Sequence, residues 1–215
     1  MKRILLYFVL VMQISCNSQE RRSNFLKVEE PVAMNVEKGM ELATFAGGCF
    51  WCTEAVFLEI KGVQKVVPGY IGGVSPNPTY RDICTGMTGH AEAIQITFDP
   101  NIVSYGELLE IFFATHDPTT LNRQGNDEGT QYRSEVFYYN DSQKQLTEEY
   151  IALMTREKTF KNPIVTRVSP ASVFYVAEDY HHNYYNLNKT QSYCSFVITP
   201  KIEKLNKNFK SKLKN

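Results

Sequence analysis

The sequence predicts an α+β fold built as a two-layer α/β sandwich with a mixed sheet. Strand-like and helix-like segments alternate without the strict regularity of βαβ units, and several strand segments are amphipathic, as expected of a sheet covered on one face rather than a doubly wound one. Of 215 residues 43% are hydrophobic, a composition that supports the core of one ordinary domain.

The first fifteen residues read as an export signal. Lys2 and Arg3 precede an apolar run from Ile4 to Ile14 that is too short to span a bilayer, and Ser15 and Cys16 follow. A cysteine after a small residue at this place resembles a lipoprotein lipobox, although Gln13 stands where that pattern usually has leucine. Cys16 is therefore the expected lipid anchor, and the chain is expected to be exported and membrane-anchored, facing the periplasm or the cell surface. Residues 16–39 are polar and charged with no sustained period and form the anchor and linker; residues 40–215 form the domain. Lys+Arg and Asp+Glu each number 23, so losing Lys2 and Arg3 with the signal leaves 21 basic residues. That balance gives no footing to a nucleic-acid partner.

The domain opens with a strand over 41–46, a turn at Gly47 and Gly48, and a helix over 49–60 closed by Gly62. Residues 63–70 form a strand, and a loop punctuated by Gly72, Gly73, Pro76 and Pro78 carries Tyr80. Residues 91–98 alternate as a strand and stop at Asp99 and Pro100. Ser104 and Glu107 make a capping box ahead of Leu108, Leu109, Ile111, Phe112 and Phe113, and that helix must end before Pro118. Residues 117–133 show no clear period, and loops of that length inside compact domains are usually functional. A strand over 134–139, a helix over 142–158 with Leu146, Tyr150, Leu153 and Met154 on one face, and a last strand over 164–168 follow. In the tail, Ile202, Leu205, Phe209 and Leu213 recur at helical spacing among six lysines, which reads as a solvated terminal helix.

The chemistry concentrates in Gly47-Gly48-Cys49-Phe50-Trp51-Cys52, which holds the only tryptophan of the chain. Cys49 falls at a helix N-terminus, where backbone N–H groups and the helix dipole lower a thiol pKa. Cys52 lies one turn on, within roughly 5–6 Å, so the two cysteines can form a disulfide with little distortion. In an exported chain that disulfide also fits a structural staple, and both readings stand at this point. On the strand over 91–98, Glu92 shares a face with Ile94, Ile96 and Phe98. Partial desolvation there would raise its pKa and keep it protonated near neutral pH, whereas a place at the strand mouth would leave it simply solvated.

Several motifs in order, GGCFWC, GYIGG, TGHAEAIQI, QGNDEGTQYRS and FYVAEDYHHNYY, resemble the type A peptide methionine sulfoxide reductase family over residues 44–197. The fold expected of the whole has a ferredoxin-like plait core. The resemblance implies an enzyme that reduces the S epimer of methionine sulfoxide in proteins and peptides, with Cys49 as nucleophile and Glu92 as acid. Phe50 and Trp51 would form the pocket for the substrate methyl group, while Tyr80, Asp127 and Tyr132 hold the sulfoxide oxygen or orient water. Cys49 would be left as sulfenic acid and Cys52 would condense with it, after which a thioredoxin-like external dithiol restores both. No cofactor and no metal are implied, and the chain is expected to act as a monomer. The common family pattern has glycine where this chain has Cys52, with resolving cysteines near the C-terminus, so Cys194 stands as a second relay or a buried thiol.

Two rival readings need less of the sequence. A thioredoxin-like dithiol oxidoreductase explains the CxxC but requires neither Glu92 nor the 124–134 motif, and a secreted binding module stapled by Cys49 and Cys52 would make Cys49 inert. His181 and His182 beside Asp179 lack the spacing of a zinc site. Phe174, Tyr175, Tyr180, Tyr184 and Tyr185 read as core and rim packing.

Overall fold

The computed structural model describes residues 36–214; the expected export signal, Cys16 and the expected linker up to residue 35 lie outside the described residues. Strand β1 (Glu41–Gly47) runs into helix α1 (Phe50–Leu58), then β2 (Val63–Ile71), the short α2 (Tyr80–Cys84), β3 (Ala91–Phe98) and α3 (Tyr105–Thr115). The long loop carries only the two-residue strands β4 (Arg123–Gln124) and β5 (Asp127–Glu128), and β6 (Ser134–Tyr138) and α4 (Asp141–Arg156) follow it. The C-terminal part contributes β7 (Arg167–Pro170), β8 (Tyr175–Val176), α5 (Tyr184–Leu187), a π-helical turn at Cys194–Ile198 and α6 (Thr199–Asn208).

One sheet has the order β7-β6-β1-β3-β2-β8. The β6–β7 pair is parallel and the other pairs are antiparallel, so the sheet is mixed as the sequence predicts. Alternation along the strands sorts the side chains. Phe45, Ile94, Ile96 and Phe98 join α1, α3, α4 and α6 in the main core, while Ala46, Ala91, Ala93 and Phe137 point to the other face, covered by Ala171 and Phe174. The ring of Phe45 stacks on Phe112 of α3 at 4.8 Å, and burial of each such ring contributes about 1.5–3 kcal/mol.

Local chemistry explains most boundaries. The Ser104 side chain accepts from the Glu107 N–H while the Glu107 carboxylate takes the Ser104 N–H, which starts α3 where the capping box placed it. Thr79 and Asp82 form a second capping box, which starts α2 inside a segment read from sequence only as loop. The predicted strand over 164–168 is displaced to Arg167–Pro170, because the Val165 N–H is taken by the Pro118 carbonyl at 2.8 Å and so bonds the start of the long loop rather than the sheet. The tail is not a solvated helix. Leu205 is fully buried, Ile202, Phe209 and Leu213 pack on the core, and the chain returns to α1 through an Ile60–Leu213 bridge. Among the described residues no helix is long and apolar enough to cross a membrane.

Candidate active site

The site forms where β1 turns into α1. Gly48 has φ +89°, and a Cβ there would lie 2.5 Å from Cβ and Cγ of Gln124, so only glycine admits the long loop this close to the turn. Gln124 is itself fixed, accepting from the Asp117 N–H and donating to the Asp117 carbonyl. Cys49 takes the N-cap position of α1, and Cys52 sits one turn further on. Both are buried free thiols. Beside them, Glu92 lies two residues beyond the last β1–β3 rung, Phe45–Ile94, at the point where β1 parts from β3 while still paired with β6. The first N–H of α1, that of Phe50, donates to Glu92 Oε2 at 3.1 Å.

Electrostatics follow from this burial. Glu92 is only 2% exposed, and desolvation pushes its pKa up to about 8 against the opposing Phe50 hydrogen bond, with the charges of Asp127 and Cys52 adding to the rise. The desolvated reading of Glu92 holds, and a strand-mouth, solvated Glu92 does not. The expectation of a lowered Cys49 pKa is corrected. Burial pushes this thiol well up, and the Cys52 and Glu92 groups beside it push the same way. The first N–H of that helix is taken by Glu92. The hydrogen bond with Cys49 chiefly draws the Cys52 thiol pKa down, to about 7.

Aromatic rings wall the space around these groups. Phe50 is buried, packed against Tyr70 and His181 with ring centroids at 5.8 and 4.9 Å. Trp51 is half-buried, stacked on Tyr184 at 3.7 Å, and its indole N–H donates to His181 Nδ1 at 3.0 Å. Tyr80 packs on the His181 ring at 4.5 Å, and its backbone N–H is held by Glu178 Oε1 at 2.8 Å. Tyr80 and Tyr132 both lie within the field of Glu92, which together with burial raises their pKa values. Asp127, from β5, accepts from the Tyr193 hydroxyl at 2.6 Å. Cys49, Cys52, Phe50, Trp51, Tyr80, Glu92, Asp127 and Tyr132 are thus brought to one place. A cavity of about 250 Å³ reaches the two sulfurs from the side of Asp127, Tyr193 and Lys201.

Four further residues build the site. His181 orients Trp51, Tyr184 backs the indole, Glu178 ties Tyr80 to the Tyr70 hydroxyl, and Tyr193 bridges Asp127 and Cys52. Three of them fall in the motif at 174–185, which carried the signal without the roles. Tyr184, read as packing, packs on the motif tryptophan itself. His182 is used locally, bonded to the Ala177 carbonyl. Cys194 is fully buried and Cys84 is exposed at the end of α2. Among the described residues no three His, Cys, Asp or Glu side chains converge to hold a metal ion.

Comparison with known proteins agrees with this geometry. Residues 41–213 match the family model described as peptide methionine sulfoxide reductase. The chain is 59% identical over 174 residues to peptide methionine sulfoxide reductase MsrA of Deinococcus radiodurans, covering 81% of this chain and 84% of the relative. It is 58% identical over 175 residues to the protein of the same description from Saccharolobus solfataricus, covering 81% and 98%. Among solved structures it is similar to Mxr1 of Saccharomyces cerevisiae in reduced form, with TM-score 0.68 and 32% identity over 76% of this chain and 94% of that one. Methionine sulfoxide reductase A of Corynebacterium diphtheriae matches with TM-score 0.64 and 36% identity, covering 72% and 78%.

Proposed function

Because the chain belongs to the peptide methionine sulfoxide reductase family, we propose that Cys49 is the nucleophile and Glu92 the acid of its reaction. The protein is an enzyme, a thiol-dependent oxidoreductase that reduces methionine sulfoxide to methionine. The observation that carries the residue assignment is the buried, proton-holding Glu92 set against the first amide of the helix that Cys49 caps.

The substrate methyl group packs against Phe50 and Trp51, and the sulfoxide oxygen faces Glu92 with the Tyr80 and Tyr132 hydroxyls as further donors. Glu92 gives its proton to that oxygen, which makes the sulfur electrophilic as Cys49 attacks it. The Cys49 thiol proton passes to the carboxylate left behind. The hydroxyl then passes from the substrate sulfur to Cys49 as the bond between the two sulfurs breaks, so methionine departs, Cys49 is left as sulfenic acid, and Glu92 is again protonated. A resting pair of neutral thiol and neutral carboxylic acid suits this exchange, since burial costs neutral groups less than charged ones. Cys52 then condenses with Cys49 to a disulfide with release of water, and an external thioredoxin-like dithiol reduces it. The place of Cys52 one helical turn from Cys49 supports that thiol as the resolving one.

Other parts of the reading rest on sequence and on topology. The basic and apolar start followed by Ser15 and Cys16 supports export and lipid attachment at Cys16, testable by labelled palmitate incorporation that a Cys16→Ser variant loses. The path β1-α1-β2-β3-α3-β6 and the strand order β6-β1-β3-β2 support a ferredoxin-like plait. Each epimer of a methionine sulfoxide peptide, assayed with dithiothreitol, tests the function. The S epimer is reduced and Cys49→Ser is inactive; reduction of the R epimer, or activity surviving in Cys49→Ser, overturns the assignment.

A further inference from the structure

Tyr193 is placed differently from the other tyrosines of the site. Tyr80 and Tyr132 lie on the Glu92 side, where the sulfoxide oxygen is protonated. The Tyr193 hydroxyl lies 3.7 Å from Cys52 Sγ, and it donates to Asp127 Oδ2 at 2.6 Å. It borders the 250 Å³ cavity that both sulfurs line. Its position is fixed on two sides. The ring meets Trp51 edge-on at 5.9 Å, and the backbone runs directly into the π-helical turn Cys194–Ile198, which buries Cys194 and Ile198 and so anchors this segment in the core. Such widened turns recur at functional sites because they re-aim side chains within a helix.

We propose that Tyr193 is a catalytic residue of the second chemical step, in which oxidised Cys49 condenses with Cys52. The S–O bond of the Cys49 sulfenic acid breaks and the Cys49–Cys52 S–S bond forms. The departing oxygen leaves as water, carrying its own hydrogen and one from the Tyr193 hydroxyl, which in turn recovers the proton that Cys52 gives up. No outside oxidant or reductant enters, since the sulfenic acid is reduced as Cys52 is oxidised.

A hydroxyl suits this place because it accepts and donates at once. Burial and the neighbouring sulfurs push its ionisation far up, so it keeps a proton to give and acts as a relay rather than as a phenolate base. Asp127 aligns it through a short hydrogen bond to a carboxylate. Tyr193 thus connects Asp127 to Cys52 through two contacts of its hydroxyl.

This inference rests on Cys52 as the resolving thiol. The test uses Tyr193→Phe, which keeps the ring against Trp51 and removes only the hydroxyl. A single turnover with a methionine sulfoxide peptide and no reductant is quenched over time. Methionine, dimedone-trapped Cys49 sulfenic acid and the mapped disulfide are then measured by mass spectrometry. The expected result is a build-up of sulfenic acid, with disulfide formation slowed at least about tenfold relative to methionine release, the low end of what a lost proton-transfer group costs. A disulfide that keeps pace with methionine release, as in the unaltered enzyme, overturns the proposal. Slowing of methionine release by the same factor overturns it too, because Tyr193 would then act in the first step. Cys52→Ser in the same assay separates the premise: a Cys49–Cys194 disulfide formed at the unaltered rate sinks the role of Cys52 whatever Tyr193→Phe does.

Discussion

The backbone N–H of Phe50 donates to Oε2 of Glu92 at 3.1 Å. The first amide of the helix that Cys49 caps is thereby engaged by the acid, and the thiol beside it stays protonated at rest. The reaction depends on a Glu92 that holds its proton. Glu92→Gln, which can still accept from Phe50, should slow single-turnover methionine formation by about 10² to 10⁴, the usual cost of a missing general acid. For the unaltered enzyme that rate should fall as pH rises through about 8, the pKa that burial gives Glu92, and the fall should be absent in the variant. A loss below tenfold, or an unchanged pH limb, would demote Glu92.

The same group sets a pH dependence of stability. Its folded pKa of about 8 lies above the reference 4.5, so its contribution is fully present below pH 4.5 and is lost as pH rises through about 8. Glu92→Gln, which does not ionise, should therefore gain on the unaltered protein over that window, by on the order of 3 kcal/mol at pH 7. Urea unfolding at both ends of the window checks it, and a difference that does not grow with pH refutes it.

Cys52→Ser should give about one methionine per enzyme and then stop when thioredoxin is the reductant, with Cys49 left oxidised. Full steady-state turnover would move the resolving role to Cys194, which the fold buries completely.

His181→Phe keeps a ring among Phe50, Tyr80 and Tyr180 but removes the acceptor of the Trp51 indole N–H. The orphaned donor costs roughly 1–3 kcal/mol of its ordered position. A several-fold rise in KM for a sulfoxide peptide, larger than the change in kcat, is expected from steady-state kinetics; an unchanged KM would mean that the hydrogen bond does not place the indole.

Gly48→Ala forces a side chain into φ +89° and against Gln124, and should lower stability by about 1–3 kcal/mol or more. Gly106, in the first turn of α3, has only Ser104 Oγ at 4.0 Å, so Gly106→Ala should be neutral or stabilising there. Thermal melts of the pair decide it, and equal losses would mean that the turn is not the cause.

The parts of the site legible in the sequence are those set by local rules. Two-residue alternation placed Glu92 on the face of Ile94, Ile96 and Phe98, and the Gly47-Gly48 turn placed Cys49 at a helix start. What stayed hidden comes from far along the chain. His181 meets Trp51 across 130 residues and Tyr193 meets Cys52 across 141, and no period encodes such partners. The Cys49 pKa failed for a related reason, since the local effect of a helix N-terminus lost to burial by the whole fold. The tail misled because its six lysines outweighed the apolar stripe of Ile202, Leu205, Phe209 and Leu213, which the core takes up through Leu205.

The return of residues 193–213 onto α1 gives the enzyme an order of manufacture. Cys49 and Cys52 leave the ribosome among the first residues of the domain. Tyr193 over their sulfurs, Leu205 beneath and the Leu213 rung beside Ile60 are made among the last. The contacts of Tyr193 with Cys52 and with Asp127 therefore arise only when that final stretch docks. The growing chain carries the thiol pair well before the segment that closes over it.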